Sequence, residues 1–171
     1  MSNPRKAFSK IYDKWVDKIY RFIYLKVNCQ EIAEDLCSEV FLRGWENFKE
    51  NHNDIENPSA FLYQIARNLV IDHYREKGRT QFVSSDNVPV ADPRTDLEEM
   101  AKDGSDLEII KSAINNLKDE YKEVIILRYL DDLSNAEISE ITDKSEGAVR
   151  VMISRALKAL KNEVENGSKE A

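Results

Sequence analysis

The chain has 171 residues, with 25 lysines and arginines against 32 aspartates and glutamates, for a net charge of −7. This length allows one or two small domains, and the acidic balance disfavours a protein that holds DNA through its overall charge. Because salt screens charge over ~8 Å, a locally basic patch can still bind nucleic acid. No apolar run follows the N-terminal residues or approaches ~20 residues, so we expect neither a signal peptide nor a membrane span.

The chain contains only two cysteines and two histidines, the residues most typical of metal sites and nucleophilic catalysis. Cys29 and Cys37 lack the spacing of a metal-ligand pair, and Cys37 falls in a predicted apolar stripe, which favours a core thiol. His52 and His73 have no cysteine or acidic cluster arranged around them. No glycine-rich phosphate loop, nucleophile elbow or paired-carboxylate constellation is present. We expect no metal, no catalytic residue, no cofactor and no enzymatic activity, in a reduced cytoplasmic setting.

Two amphipathic helices are predicted over 5–27 and about 30–48, and Asn28 with Glu31 resembles a capping start for the second. The apolar side of the first helix consists of Phe8, Ile11, Tyr12, Trp15, Val16, Ile19, Tyr20 and Ile23. The apolar side of the second consists of Ile32, Ala33, Leu36, Cys37, Val40, Phe41, Gly44, Trp45 and Phe48. Its outer face carries Glu31, Glu34, Asp35, Ser38, Glu39 and Arg43.

A third helix is predicted over about 58–78, with Asn57 as its cap and Pro58 at its first position. Its inward side consists of Phe61, Leu62, Ile65, Ala66, Leu69 and His73. Its outward side consists of Gln64, Asn68, Asp72, Arg75 and Arg79. This row of polar groups suits a nucleic-acid backbone and exposed bases. A solvated face with an Asp72–Arg75 pair worth ~0.3 kcal/mol has the same pattern.

Helical periodicity stops between Thr80 and Gly104. This stretch contains two prolines and six acids: Asp86, Asp92, Asp96, Glu98, Glu99 and Asp103. Unpatterned stretches of this length are uncommon inside a domain, so 80–104 is predicted to be a flexible acidic linker that spans ~80 Å when extended. The predicted domains are therefore 1–79 and 105–171. Apolar spacing in the second predicts helices around 107–117 and 121–130.

Two helices joined by a tight turn follow. Ser134 and Glu137 form a capping box for the first, and Ser145 is a good N-cap for the second. The buried stripe of the second helix is predicted to be Val149, Ile153, Ala156, Leu157, Leu160 and Val164. The opposite face carries Arg150, Val151, Ser154, Arg155 and Lys158. This pattern predicts a helix-turn-helix that reads DNA, although an ordinary hairpin with a solvated charged face shares it.

Four stretches stand in an informative order: AEDLCSEVFLRGW (33–45), AFLYQIARNLVIDHYR (60–75), VIILRYLDDLSNAEISEI (124–141) and GAVRVMISRALKAL (147–160). Together they resemble the extracytoplasmic-function (group 4, two-domain) sigma factors of bacterial RNA polymerase. The resemblance covers nearly the whole chain outside the linker and the last ten residues. It implies an all-α fold, in which a three-helix sigma-2-like bundle and a four-helix sigma-4-like domain flank the linker.

The resemblance implies roles for individual residues. Those that match the helix docking on the clamp helices of the largest polymerase subunit are Asp35, Leu36, Glu39, Phe41 and Arg43. Those assigned to the melted strand of the −10 element are Asn68, Asp72, Arg75, the neighbouring Arg79 and the loop before Pro58. Those assigned to the −35 element are Arg150, Val151, Ser154 and Arg155, with Lys158 toward phosphate; Lys144 is also predicted to bind DNA.

The function implied is that of a sigma factor, which binds core RNA polymerase, directs it to promoters through the −35 and −10 elements, and assists promoter opening. The expected partners are the largest and second-largest polymerase subunits, promoter DNA including the melted non-template strand, and an anti-sigma factor. The free protein is expected to be a monomer, and the linker is expected to pass through the polymerase near the RNA path.

The chain departs from the family pattern at a few positions. Ser38 stands where a glutamine is frequent, and Lys118 where a proline is usual. In the helix-turn-helix, Ser139 and Asp143 stand where a small residue and a glycine are common, and serine is small enough for its position. Aspartate tolerates left-handed backbone geometry better than most residues, so a turn at Asp143 remains feasible. These departures leave the promoter sequence and the individual polymerase contacts open.

Two other functions account for part of the pattern. A stand-alone helix-turn-helix regulator explains 105–171 equally well, but it leaves the outer face of 58–79 without a role and is expected to dimerise. Sedimentation of the free protein distinguishes the two. A protein-interaction adaptor made of two helical bundles predicts instead that neutralising Arg155 and Lys158 leaves DNA binding unchanged.

Overall fold

The computed structural model describes residues 3–80 and 104–170, with side chains described for residues 3–78 and 109–167. The chain divides into two compact units, Met1–Asp92 (unit 1) and Pro93–Ala171 (unit 2). Within the described residues all regular structure is helical, which confirms the predicted all-α class. The linker predicted at 80–104 lies, apart from its two end residues, outside the described part of the chain.

Unit 1 contains α1 (Pro4–Val27), α2 (Gln30–Asn51) and α3 (Pro58–Thr80). Unit 2 contains α4 (Gly104–Asn115), α5 (Asp119–Ile125), a π-helical turn (Ile126–Leu130), α6 (Asn135–Thr142) and α7 (Glu146–Glu170). Each of the helices predicted from apolar spacing is present within a few residues of its expected bounds. The π-helical turn at the end of α5 has no counterpart in the predicted elements.

Unit 1 is a bundle in which each helix packs against the other two. Aromatic rings fill much of its interior, and the Phe8 ring centroid lies 5.4 Å from Phe48 and 5.5 Å from Trp45. Gly44 lets α2 approach α3 closely, since a Cβ added there would lie 2.7 Å from Leu62 Cδ2. The sides of α2 and α3 that point away from this packed interior form the outer faces of the bundle.

Two predictions about unit 1 are wrong in detail. Asn28 does not cap α2: it ends α1 in the left-handed conformation with φ 55°, and its N–H donates to the Tyr24 carbonyl. On α3, Tyr63 and Val70 are buried, whereas Phe61, Ile65 and His73 are partly exposed. The burial of Tyr63 follows from α1, whose Phe22 and Trp15 rings meet it edge-on at 5.4 and 6.0 Å.

Unit 2 is organised around α7, against which α4, α5 and α6 each pack. The buried side of α7 includes Val149, Ile153 and Ala156, as predicted. Leu157 was predicted to share that side, but it is 40% exposed. It follows Ala156 by one residue, a rotation of ~100° around the helix, which carries its side chain away from the three neighbouring helices.

Candidate nucleic-acid and polymerase interfaces

The outer face of α2 carries most of the residues predicted to bind polymerase. Asp35 and Arg43 are exposed, and Leu36 and Glu39 are partly buried. Arg43 Nε donates to Glu39 Oε1 at 2.8 Å, one helical turn away, and solvent reaches both side chains. A solvent-exposed ion pair contributes little to stability, so both groups can exchange this contact for one with a partner.

Phe41 differs from the other predicted polymerase contacts because it is only 6% exposed. Its ring lies inside unit 1, with its centroid 4.9 Å from that of Tyr12 and 6.4 Å from that of Phe8. The apolar side chain that α2 presents to solvent is the next residue, Leu42, which is 54% exposed. Phe41 thus packs α2 against α1, while Leu42 is exposed on the outer face of α2.

The outer face of α3 carries Asn68, Asp72 and Arg75, all exposed. Arg75 Nη1 lies 3.9 Å from Asp72 Oδ1, a loose pair that restrains neither group strongly. The buried side chains of α3 end at Val70, so Asp72 and Arg75 lie on a stretch that extends past the core. The Arg79 side chain lies outside the described residues.

The Tyr74 side chain attaches this stretch of α3 to the end of α1. The Tyr74 hydroxyl donates to the backbone carbonyl of Lys26 in the last turn of α1, where carbonyls lack a helical partner. His73 is partly buried, and this burial together with the ammonium of Lys77 lowers the pKa of the imidazole below its usual 6.5. The imidazole is therefore neutral at physiological pH and adds no charge to the outer face of α3.

The loop before Pro58 is joined to the start of α3 by its last residue. Asn57 Oδ1 accepts a hydrogen bond from the Ala60 N–H at 3.3 Å and another from the Ser59 hydroxyl at 2.7 Å. The predicted cap at Asn57 is confirmed. Asn57 therefore determines both where α3 begins and where the preceding loop ends.

The helix-turn-helix forms as the local sequence predicts. Ser134 Oγ accepts from the Glu137 N–H and Glu137 Oε1 accepts from the Ser134 N–H, both at 3.1 Å, which completes the capping box. Ser145 Oγ caps α7 by accepting from the Ala148 N–H at 3.1 Å. Between the helices, Asp143 adopts the left-handed conformation with φ 57°, and the Ser139 hydroxyl donates to the Lys144 carbonyl.

One side of α7 presents the five residues predicted to face the −35 element. Arg150, Val151, Ser154, Arg155 and Lys158 are all exposed, and Val151 is 50% exposed. Lys144, in the turn before α7, is partly buried, and its Nζ lies 3.8 Å from Met152 Sδ. The structure thus gathers the predicted donors and one apolar side chain on a single helical face.

Family profiles match most of the described chain. The profile described as Sigma-70 region 2 matches residues 11–80, and the profile described as Sigma-70, region 4 matches residues 107–160. The chain is 34% identical over 169 residues to the ECF RNA polymerase sigma factor SigW of Bacillus subtilis, an alignment that covers 92% of this chain and 89% of SigW. The chain belongs to the ECF sigma factors.

Two further proteins are similar to this sigma factor. The ECF RNA polymerase sigma factor BldN of Streptomyces coelicolor is 31% identical over 155 residues, which cover 90% of this chain but 59% of BldN. The structure of the sigma factor RpoE from Bartonella quintana, in complex with the anti-sigma factor NepR, shares the fold with a TM-score of 0.74 and 24% identity. That alignment covers 94% of this chain and 98% of RpoE.

Sigma factors are transcription initiation factors of RNA polymerase, and the two matched regions place α1–α3 of this sigma factor in region 2 and α4–α7 in region 4. Each match lies within one of the two compact units. The protein therefore acts in promoter-directed initiation of transcription.

Among residues 3–80 and 104–170, no three histidine, cysteine or acidic side chains stand close enough to hold a metal ion. In the same residues, no helix combines the length and apolar character of a membrane span. Cys37 is buried and its Sγ lies 3.9 Å from the Val16 carbonyl oxygen on α1, which confirms the predicted core thiol.

Proposed function

We propose that the sigma factor uses three helical faces, each of which binds a different partner. The outer face of α2 binds the clamp helices of the largest polymerase subunit, the outer face of α3 holds the displaced strand of the −10 element, and α7 reads the −35 element in the major groove. Residues 1–79 form the first functional domain and 105–171 the second, with the acidic stretch 80–104 passing through the polymerase between them.

The observation that carries this proposal is the separation of the two sides of α7. Val149 and Ala156 are buried against the rest of unit 2, while Arg150, Ser154 and Arg155 remain in solvent. Arginine donates in pairs to guanine, and serine bonds to any base edge. A helix-turn-helix whose second helix is solvent-exposed on one side can place that side in the major groove of duplex DNA.

The α2 face fits a protein partner rather than DNA. Asp35 and Glu39 would repel phosphate groups, whereas Leu42 gives an exposed apolar centre within a polar rim. Protein–protein contacts commonly combine a buried apolar anchor with polar surroundings. Asn68 and Arg75 on α3 supply donors for bases and phosphate, as capture of a single strand requires.

The protein is proposed to act by binding alone, with catalysis left to the polymerase, and to work in the cytoplasm where promoter DNA is transcribed. The structure of the similar RpoE contains an anti-sigma factor. By analogy, an anti-sigma factor is a proposed partner of this chain, and it would compete with polymerase for the same surfaces.

Polymerase binding by the outer face of α2 is tested by single substitutions that remove an exposed side chain. Leu42→Ala is expected to weaken binding to core polymerase by roughly ten-fold, since a leucine side chain loses part of its buried area. Ile71→Ala, which removes a similarly exposed aliphatic side chain from α3, should leave this affinity unchanged. Both affinities are measured by titrating labelled protein with core polymerase.

Promoter reading is measured with the reconstituted holoenzyme and every single-base variant of a promoter found by run-off transcription from a library. Arg150→Ala is expected to cost about 1–3 kcal/mol, concentrated at one base pair of the −35 element. A uniform loss across all variants would make Arg150 a phosphate contact. Failure of the holoenzyme to start transcription from any template would overturn the proposed function.

A further inference from the structure

Beside the exposed face of α7 lies a groove that the predicted DNA contacts leave unexplained. It has a volume of about 360 Å³ and is formed by the start of α5 and the first turns of α7. Its lining residues are Glu120, Tyr121, Gly147, Ala148, Val151, Met152 and Arg155. Most of these side chains are apolar, which is unusual for a surface expected to meet DNA.

The groove is continuous with the proposed DNA-reading face, because Val151 and Arg155 belong to both. Arg150 and Lys158 on the same helix are exposed, and Lys144 Nζ lies 3.8 Å from Met152 Sδ at the edge of the groove. These cations complement the charge of duplex DNA. A base pair held by α7 would therefore have the groove directly beside it.

The lining selects which part of DNA can enter. The exposed Glu120 carboxylate on the rim repels a phosphate group but can accept from a base amino group. The Val151 side chain, the Met152 side-chain carbons and the Tyr121 ring offer mainly carbon surface to a group that enters the groove. The apolar group that the base pairs display in the major groove is the 5-methyl group of thymine.

We propose that this groove is a thymine subsite, in which Tyr121 and Met152, together with Val151, enclose the methyl-bearing edge of one thymine of the −35 element. The inference rests on the proposed placement of α7 in the major groove. It adds a residue from outside the helix-turn-helix, Tyr121, to the surface that determines promoter specificity. Gly147 and Ala148 lack the bulk that would keep a base edge away.

The test removes the methyl group without changing base pairing. Each thymine of the −35 element, on either strand, is replaced in turn by deoxyuridine, and the affinity of the holoenzyme for each duplex is measured by competition. One position should lose about four-fold, the factor expected for one buried methyl group. In Val151→Ala the preference for thymine over deoxyuridine at that position should disappear.

Two more variants complete the test. Ala148→Leu fills the groove from an exposed position without altering a buried side chain, and it too should abolish the preference. Leu157→Ala removes an exposed aliphatic side chain of α7 outside the groove and should retain it. Equal affinity for thymine and deoxyuridine at every position would overturn the subsite. The proposed function would then still stand if Arg150→Ala had lost base-specific affinity.

Discussion

At the scale of single residues, Asp143 shows how one backbone angle determines the turn of the helix-turn-helix. It closes α6 with φ 57° and ψ 42°, and its N–H donates to the Ser139 carbonyl. In this region the Cβ of a non-glycine residue crowds the neighbouring backbone, although aspartate bears the cost better than most. The angle brings the chain from α6 into α7, so the position of the reading face depends on it.

Substitution of Asp143 should follow this backbone strain. Asp143→Val is expected to lower the free energy of unfolding by about 1–2 kcal/mol, because a β-branched side chain is poorly tolerated at positive φ. Asp143→Gly should be neutral or stabilising. Unfolding of the whole protein is followed by circular dichroism. Tryptophan fluorescence follows the unfolding of unit 1 and serves as an internal control, because Trp15 and Trp45 both lie in that unit. Equal stability of the two variants would contradict the assigned turn geometry.

At the scale of elements, the part of α3 that follows Val70 carries residues proposed to bind DNA but contributes little to the packing of unit 1. The stretch after Val70 carries Asp72 and Arg75 but contributes no fully buried side chain among its described residues. Segments with few buried contacts open locally at low free-energy cost. The hydrogen bond from Tyr74 to Lys26 attaches this part of α3 to the end of α1, and we expect it to hold the proposed strand-binding residues in position.

Removal of the Tyr74 hydroxyl should weaken strand capture without affecting assembly. Tyr74→Phe keeps the ring and deletes a hydrogen bond worth ~1 kcal/mol, so affinity of the holoenzyme for a single-stranded −10 oligonucleotide is expected to fall by up to about five-fold. Affinity for core polymerase should not change. Tyr12→Phe is the matched control, since Tyr12 is an exposed tyrosine on α1. An unaltered oligonucleotide affinity would show that the hydroxyl has no positioning role.

At the scale of the whole molecule, charge and connectivity explain why the protein needs the polymerase. The net charge of −7 opposes binding to free DNA, and the proposed reading face supplies only a few cations. When both functional domains are held on one enzyme, engagement of one raises the effective concentration of the other to ~mM. Under the proposed function, the polymerase would convert two weak DNA contacts into one specific complex.

The isolated protein is accordingly expected to show little sequence-specific DNA affinity at physiological salt. Addition of core polymerase should raise the ratio of promoter to non-promoter binding at least ten-fold. The measurement is a pair of DNA titrations, with and without core polymerase, alongside sedimentation of the free protein as a monomer. Tight specific binding by the protein alone, as a dimer, would favour a stand-alone helix-turn-helix regulator.

Local sequence alone determined the helices and most of their ends. Helical periodicity located α1–α3 and α7, and the caps at Asn57, Ser134 and Ser145 form as expected. Such features depend on residues within about one turn of each other, so short-range pattern suffices to predict them. The exposed residues of the reading face follow from the same periodicity, because they lie opposite the buried stripe of one helix.

Tertiary packing decided what each helix face touches. Periodicity placed Phe41 on the apolar side of α2, where it is buried, and only the family resemblance assigned it to polymerase binding. On α3, periodicity could not place Tyr63 inside and Phe61 toward the surface. The bond between Tyr74 and Lys26 joins residues 48 positions apart, and the groove at Tyr121 exists because α5 packs beside α7. The apolar stripe of a helix is about 100° wide, so periodicity identifies the side of the helix that faces the core. The neighbouring helices determine which residues on that side are buried.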